Sequence, residues 1–159
     1  MSLSVEEIVY MQSTGGLGGA LTTPIPEESL HNIFDAVSGK EAKLGDTEYR
    51  CVYIKNTNTE DTLYNAVLFI LTQPTGSKEH VQIARGTAPT NATEQTVLNE
   101  NTAPLGVTFV DAPDLENGVV LGDIPPNGHR SIWIKREISS NAPVSRNSRV
   151  FLAISGDIF

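Results

Sequence analysis

Few side chains in this 159-residue chain have the type and spacing that chemistry requires. The densest run is Gly15-Gly16-Leu17-Gly18-Gly19. A phosphate-cradling loop ends in Gly-Lys-Ser/Thr, and a dinucleotide fingerprint needs a glycine where Leu21 stands, so the run fits neither. Cys51 is the single cysteine. A nucleophilic thiolate needs an exposed, electropositive setting beside a base. Arg50 and Val52 point to the other face of the strand expected there, which leaves Cys51 as a small buried hydrophobe. His31, His80 and His129 are far apart and lack the close-spaced partners of a zinc site. Asp111, Asp114 and Glu116 precede Asn117-Gly118 on a short loop that could offer oxygen ligands to calcium, but the spacing departs from the known calcium loop and a solvated turn is the simpler reading. No G-x-S-x-G elbow occurs. Asn91-Ala-Thr93 matches a glycosylation sequon with no secretory route in view. The expectation is a chain with no catalytic residues, no cofactor and no metal.

If chemistry is absent, surfaces must carry the function, and the elements that shape them come next. Runs with two-residue alternation predict strands near 48–56, 63–72, 80–85, 105–110, 118–122, 129–138 and 148–156, with polar turns between them. Residues 4–12 read as a short strand or arm segment. Residues 30–37 have apolar spacing that suits a helix face or a bent strand and are read as irregular strand; Lys40 to Leu44 suits a helical turn. Pro125-Pro126-Asn127-Gly128 makes a corner from which the strand ending in Ile138 is launched, because the prolines fix φ and Asn-Gly tolerates positive φ. Residues 87–103 are long, polar and rich in Thr and Asn, a loop or crossover between sheets. The glycine run is either a hinge or a backbone that must approach another backbone closely. With the prolines that follow, it makes residues 1–29 an extended N-terminal arm and residues 30–159 the domain. The fold class expected is all-β, an antiparallel sandwich.

The strong strands are apolar on both faces. Val52, Ile54, Leu68, Ile70, Ile132 and Ile134 share an aliphatic face. Tyr49, Tyr53, Phe69, Trp133 and Phe151 gather on the other. A sandwich with solvated outer faces alternates apolar with polar residues, so something must cover the aromatic side. The cover is either the arm or the long loop, or else a partner, since large exposed apolar patches mark interaction sites. Gly15, Gly16, Leu17, Gly18 and Gly19 join those five aromatics as candidate interaction residues.

Composition narrows the partners. The net charge of −8 and pI near 4.8 argue against nucleic acid and anionic membranes, which need a basic footprint, and favour a basic partner surface. Only 19% of residues are charged, below the usual value of about 25%. The first twelve residues do not form a secretory signal, and no apolar run reaches the roughly 18 residues of a membrane span.

Four stretches, LGGAL (17–21), NIFDAVSGKEAKLGDTEYRCVYIKN (32–56), TEQTVLNENTAPLGVTF (93–109) and LGDIPPNGHRSIWIKR (121–136), resemble in order a family of small virion proteins of tailed bacteriophages and prophages. The resemblance implies an immunoglobulin-like β-sandwich of the head-decoration kind, with no catalytic pattern. It implies assembly into virions in the bacterial cytoplasm, where disulfides are not needed. The expected partners are the major capsid protein or another virion protein, together with a homo-oligomeric state. A tail or baseplate component, a carbohydrate-binding adhesin-like module and a hydrolase are the competing readings.

Overall fold

A computed structural model describes residues 3–25, 44–73, 78–141 and 151–158. It is all-β. Eight strands follow one another: β1 (Ile8–Ser13), β2 (Leu21–Pro24), β3 (Asp46–Asn56), β4 (Leu63–Thr72), β5 (Glu79–Arg85), β6 (Val119–Ile124), β7 (His129–Ile138) and β8 (Phe151–Asp157). The elements expected over 30–37 and from Lys40, and the turn around Pro74 and Gly76, fall outside the described residues.

The strands form two antiparallel sheets, a large one in the order β2-β1-β3-β7-β5 and a small one in the order β6-β4-β8. β3 and β7 make the longest ladder, from Asp46 opposite Ile138 to Lys55 opposite His129. That register sets Val52 against Ile132 on one face and Cys51 against Trp133 on the other. The first face looks inward. Val52, Ile54, Ile132, Ile134, Val81 and Ile83 pack against Leu63, Ala66, Leu68, Ile70, Leu121 and Ile124 of the small sheet. The two-residue alternation therefore places the aliphatic face in the shared core, as expected.

The N-terminal segment is part of this sandwich. β1 pairs with β3 from Ile8 opposite Asn56 to Gln12 opposite Val52, and β2 pairs with β1. Leu3 and Met11 are buried. Within the described part of the expected arm, residues 3–25, the glycine run turns the chain between two strands, and β2 stops at Pro24, which cannot donate to a ladder. A second difference concerns the strand expected over 105–110. Only Val110 pairs, in an isolated bridge to Ile83. Pro104 precedes the segment and Gly106 has φ +71°, so the backbone of Leu105 bonds to the Gln95 side chain through both its N–H (3.1 Å) and its carbonyl (2.7 Å). The Pro125 corner crosses from the small sheet to the large one: Gly128 N–H donates to Pro125 O at 2.8 Å and Asn127 takes φ +59°.

Candidate interaction surface

The outer face of the large sheet carries Tyr49, Cys51 and Tyr53 on β3 and Trp133 on β7. Trp133 and Tyr53 are 0% exposed. Their cover is intramolecular, made by the loop after β5 and by the glycine run. Glu94 on that loop is the anchor. Its carboxylate accepts from Trp133 Nε1 at 2.9 Å, Thr87 N at 2.7 Å, Thr87 Oγ1 at 2.6 Å, Ala88 N at 3.1 Å, Gln95 N at 3.0 Å and Ser131 Oγ at 3.3 Å. Burial pushes its pKa up, but these donors outweigh burial and hold it below the ordinary carboxylate value. Tyr53 completes the seal: its hydroxyl donates to Gly19 O at 2.5 Å and accepts from Glu94 N at 2.9 Å.

The glycine run exists for a close approach. Gly18 has φ +98°, and a Cβ there would lie 1.8 Å from Gln95 O. Gly19 N donates to Glu94 O at 3.1 Å and Val97 N to Leu17 O at 2.9 Å, so the run and the loop pair backbone to backbone. Buried Ser13 ties the run to β3, accepting from Gly18 N at 3.1 Å and donating to Cys51 O at 2.6 Å. A Cβ on Gly16 would meet Arg50 Cδ at 3.0 Å, while Gly15 has open space around it. Leu17 is half-buried.

Several predicted residues are thus spent inside the chain. The thiol of Cys51 is pushed up to about 12 by burial, helped by the charge of Glu94, which removes it from nucleophilic chemistry at neutral pH. Tyr49 is half-buried against Phe109, ring centroids 5.5 Å apart, and its N–H donates to Glu100 O at 2.7 Å. His129 stands edge-on to Tyr53 at 5.1 Å, and burial lowers its pKa. His80 bonds to Asp111 at 2.7 Å, while Asp114 accepts from Asn117 N at 2.8 Å and Asn117 Nδ2 at 2.9 Å. The acidic loop is a turn closed by its own hydrogen bonds, and among the described residues no group of His, Cys, Asp and Glu converges to hold a metal. His31 lies outside the described residues.

The five aromatics do not share one surface. Phe69 sits on β4, in the other sheet, on its outer face. That face carries Val67, Phe69 and Leu71 from β4, Val120 opposite Val67, and Ala153 opposite Phe69. Leu71 is 65% exposed and Val120 60%, while Val67 and Phe69 are half-buried. β8 contributes the backbone of Phe151, opposite Thr72; the Phe151 side chain is outside the described residues. This outer face is apolar where alternation would call for polar residues.

Sequence reasoning missed Glu94. Its partners Ser131 and Trp133 lie 37 and 39 residues away, a juxtaposition no local pattern encodes. The buried pair of Glu48 and Arg136, across the β3–β7 ladder, was missed for the same reason. Among the described residues no helix is long and apolar enough to cross a membrane. No family model, curated protein or solved structure matches the chain.

Proposed function

We propose that the chain is a non-enzymatic structural protein of a tailed-bacteriophage virion, a head-decoration protein that binds the capsid lattice and cements neighbouring subunits. The observation that carries the reading is the outer face of the small sheet, where Val67, Phe69, Leu71, Val120 and Ala153 form an apolar surface. An apolar sheet face of this kind suits docking on another protein. Low charge content suits it too, because fewer charges are stripped of water when the surface is covered. The acidic balance fits a partner with a basic surface.

The strand order supports the immunoglobulin-like part of the reading. β1-β3-β7-β5 follows the A-B-E-D order of that sandwich, and β4 paired with β8 follows C with F. β6, on the far side of β4, and β2, outside β1, are additions to the pattern. The sugar-binding alternative loses its main support, since Trp133 is sealed beneath the Glu94 loop.

The test is the copy number of the chain in purified particles, by quantitative mass spectrometry against the major capsid protein. A ratio near the capsid-subunit number is expected. A ratio matching the few copies of a tail or baseplate ring, or absence from particles, would overturn the head-decoration assignment.

A further inference from the structure

Among the described residues four strands have an outer edge, and three of those edges carry a device that discourages a further strand. β2 is four residues long and ends in Pro24. β5 carries Glu79, His80 and Arg85, and Val110 already occupies its middle, bonded both ways to Ile83 at 3.1 and 2.9 Å. β6 is bulged opposite β4 and holds Gly122 at φ +80° beside Asp123. β8 differs. Leu152-Ala153-Ile154-Ser155-Gly156 has no proline and no charge, and the irregularities of its ladder with β4 fall on β4. Among the described residues no strand pairs with its outer edge. In the immunoglobulin-like pattern this is where strand G would pair with F.

Beside that edge lies an apolar groove of about 420 Å³ between β8 and β1. Leu3, Ile8, Tyr10, Leu152, Ile154 and Ile158 are among its walls, and no charged side chain lines it. A dry apolar cavity of about 150 Å³ holds one benzene-sized group, so this groove has room for about three. Strand side chains on one face recur every 6.4–6.8 Å or so, which makes three of them the inward face of about six residues. The groove has the size of one further strand's inward face.

We propose that β8 accepts an extended segment of a partner protein as an added antiparallel strand, its alternate apolar side chains filling this groove and its basic N-terminal end lying beside Asp157. The proposal rests on the reading of the chain as an assembly protein and names the site and mode of docking. Charge sets the polarity. At the Asp157 end, the Asn65 side chain donates to Asp157 at 3.3 Å and its backbone N–H to Asp123 at 3.0 Å. Asn65 thus brings Asp123 and Asp157 together at that end, so an incoming strand is favoured with Lys or Arg there. In an antiparallel pairing this is its N-terminal end. A second copy fits less well. Edge-to-edge pairing of two β8 strands would leave Leu152 and Ile154 packed on their own cores, leave both grooves unfilled, and bring together two chains of net charge −8.

The probe is a fluorescein-labelled peptide of a lysine pair followed by alternating valine and threonine, titrated into the full chain by fluorescence anisotropy. Hydrogen exchange on the complex follows the β8 amides. Expected are saturable binding, protection of β8 amides, and a loss of affinity of about tenfold or more in Ile158→Glu, which puts a charge on a wall that is 42% exposed. Asp157→Lys should weaken this peptide and improve a version led by glutamates. Thermal melts confirm that both variants stay folded. No binding at millimolar peptide, binding unchanged in both variants, or binding without β8 protection would overturn the proposal. So would a dimer in sedimentation that Ile158→Glu dissociates, because the occupant would then be a second copy. Failure of the decoration reading is separate: a chain that captures the peptide through β8 yet is absent from particles keeps the site and loses the virion.

Discussion

Glu94→Gln is the sharpest test of how the aromatic face is sealed. The substitution keeps the size and shape of the side chain and replaces one acceptor oxygen with an amide donor. In the native loop one carboxylate oxygen receives Trp133 Nε1–H, Thr87 N–H and the Ser131 hydroxyl, and the other receives Ala88 N–H, Gln95 N–H and the Thr87 hydroxyl. Either orientation of the new amide sets its N–H₂ against backbone or indole donors that cannot turn away. Two such donors lose their acceptor, at about 1–3 kcal/mol each for a buried group, so the expected cost is about 4 kcal/mol. This is a large part of a typical total of about 5–15 kcal/mol. For a chain of this length it corresponds to a melting temperature lower by roughly 10 °C. The assay is urea unfolding followed by fluorescence of Trp133, the single tryptophan and a direct neighbour of the mutated group. Native emission should also move to the red as the loop lifts and water reaches the indole. Acid should act in the same direction. The carboxyl is held below its ordinary value in the fold, so its contribution is fully present above about pH 4.5 and is lost as pH falls through the depressed pKa. An unfolding midpoint within about 0.5 kcal/mol of the parent, with unchanged emission, would refute the assignment of Glu94 as the anchor.

Gly18→Ala must place a Cβ 1.8 Å from Gln95 O at φ +98°, so strain and overpacking together should cost about 2–5 kcal/mol in the same urea assay; a neutral result would mean that the run and the loop do not pair as described. Burial pushes the Glu48 carboxyl up to about 7 against the pull of Arg136, so its contribution to stability is full below about pH 4.5 and is lost as pH rises through about 7. Glu48→Gln should flatten that part of the stability curve, and superimposable curves for the two proteins would reject the assignment. Leu71→Lys with Val120→Lys alters two exposed positions, so melting should shift by no more than about 0.5 kcal/mol while association with particles is lost. Particles decorated as fully as by the parent chain would remove the small-sheet face from the interface.

Local pattern sufficed for much of the fold. Alternation in 48–56, 63–72 and 129–138 placed β3, β4 and β7 to within a few residues, because side-chain direction in a strand has a fixed period of two and the inward set must be apolar. The Pro-Pro-Asn-Gly corner was legible for the same kind of reason, since φ restrictions belong to the residues themselves. The glycine run was legible as either a hinge or a close backbone approach, and the structure decided for the approach, to Gln95 and Glu94. What the chain could not declare locally is which strands become neighbours and which segment covers which face. Phe69 and Trp133 read alike in sequence, an aromatic flanked by aliphatics. Trp133 is sealed beneath Glu94 and Phe69 sits half-buried on the outer face of the small sheet, because β4 and β7 belong to different sheets and the Glu94 loop bonds to the large one. The edge position of β8 among the described strands is likewise a property of strand order, since neighbours are chosen by packing over the whole chain.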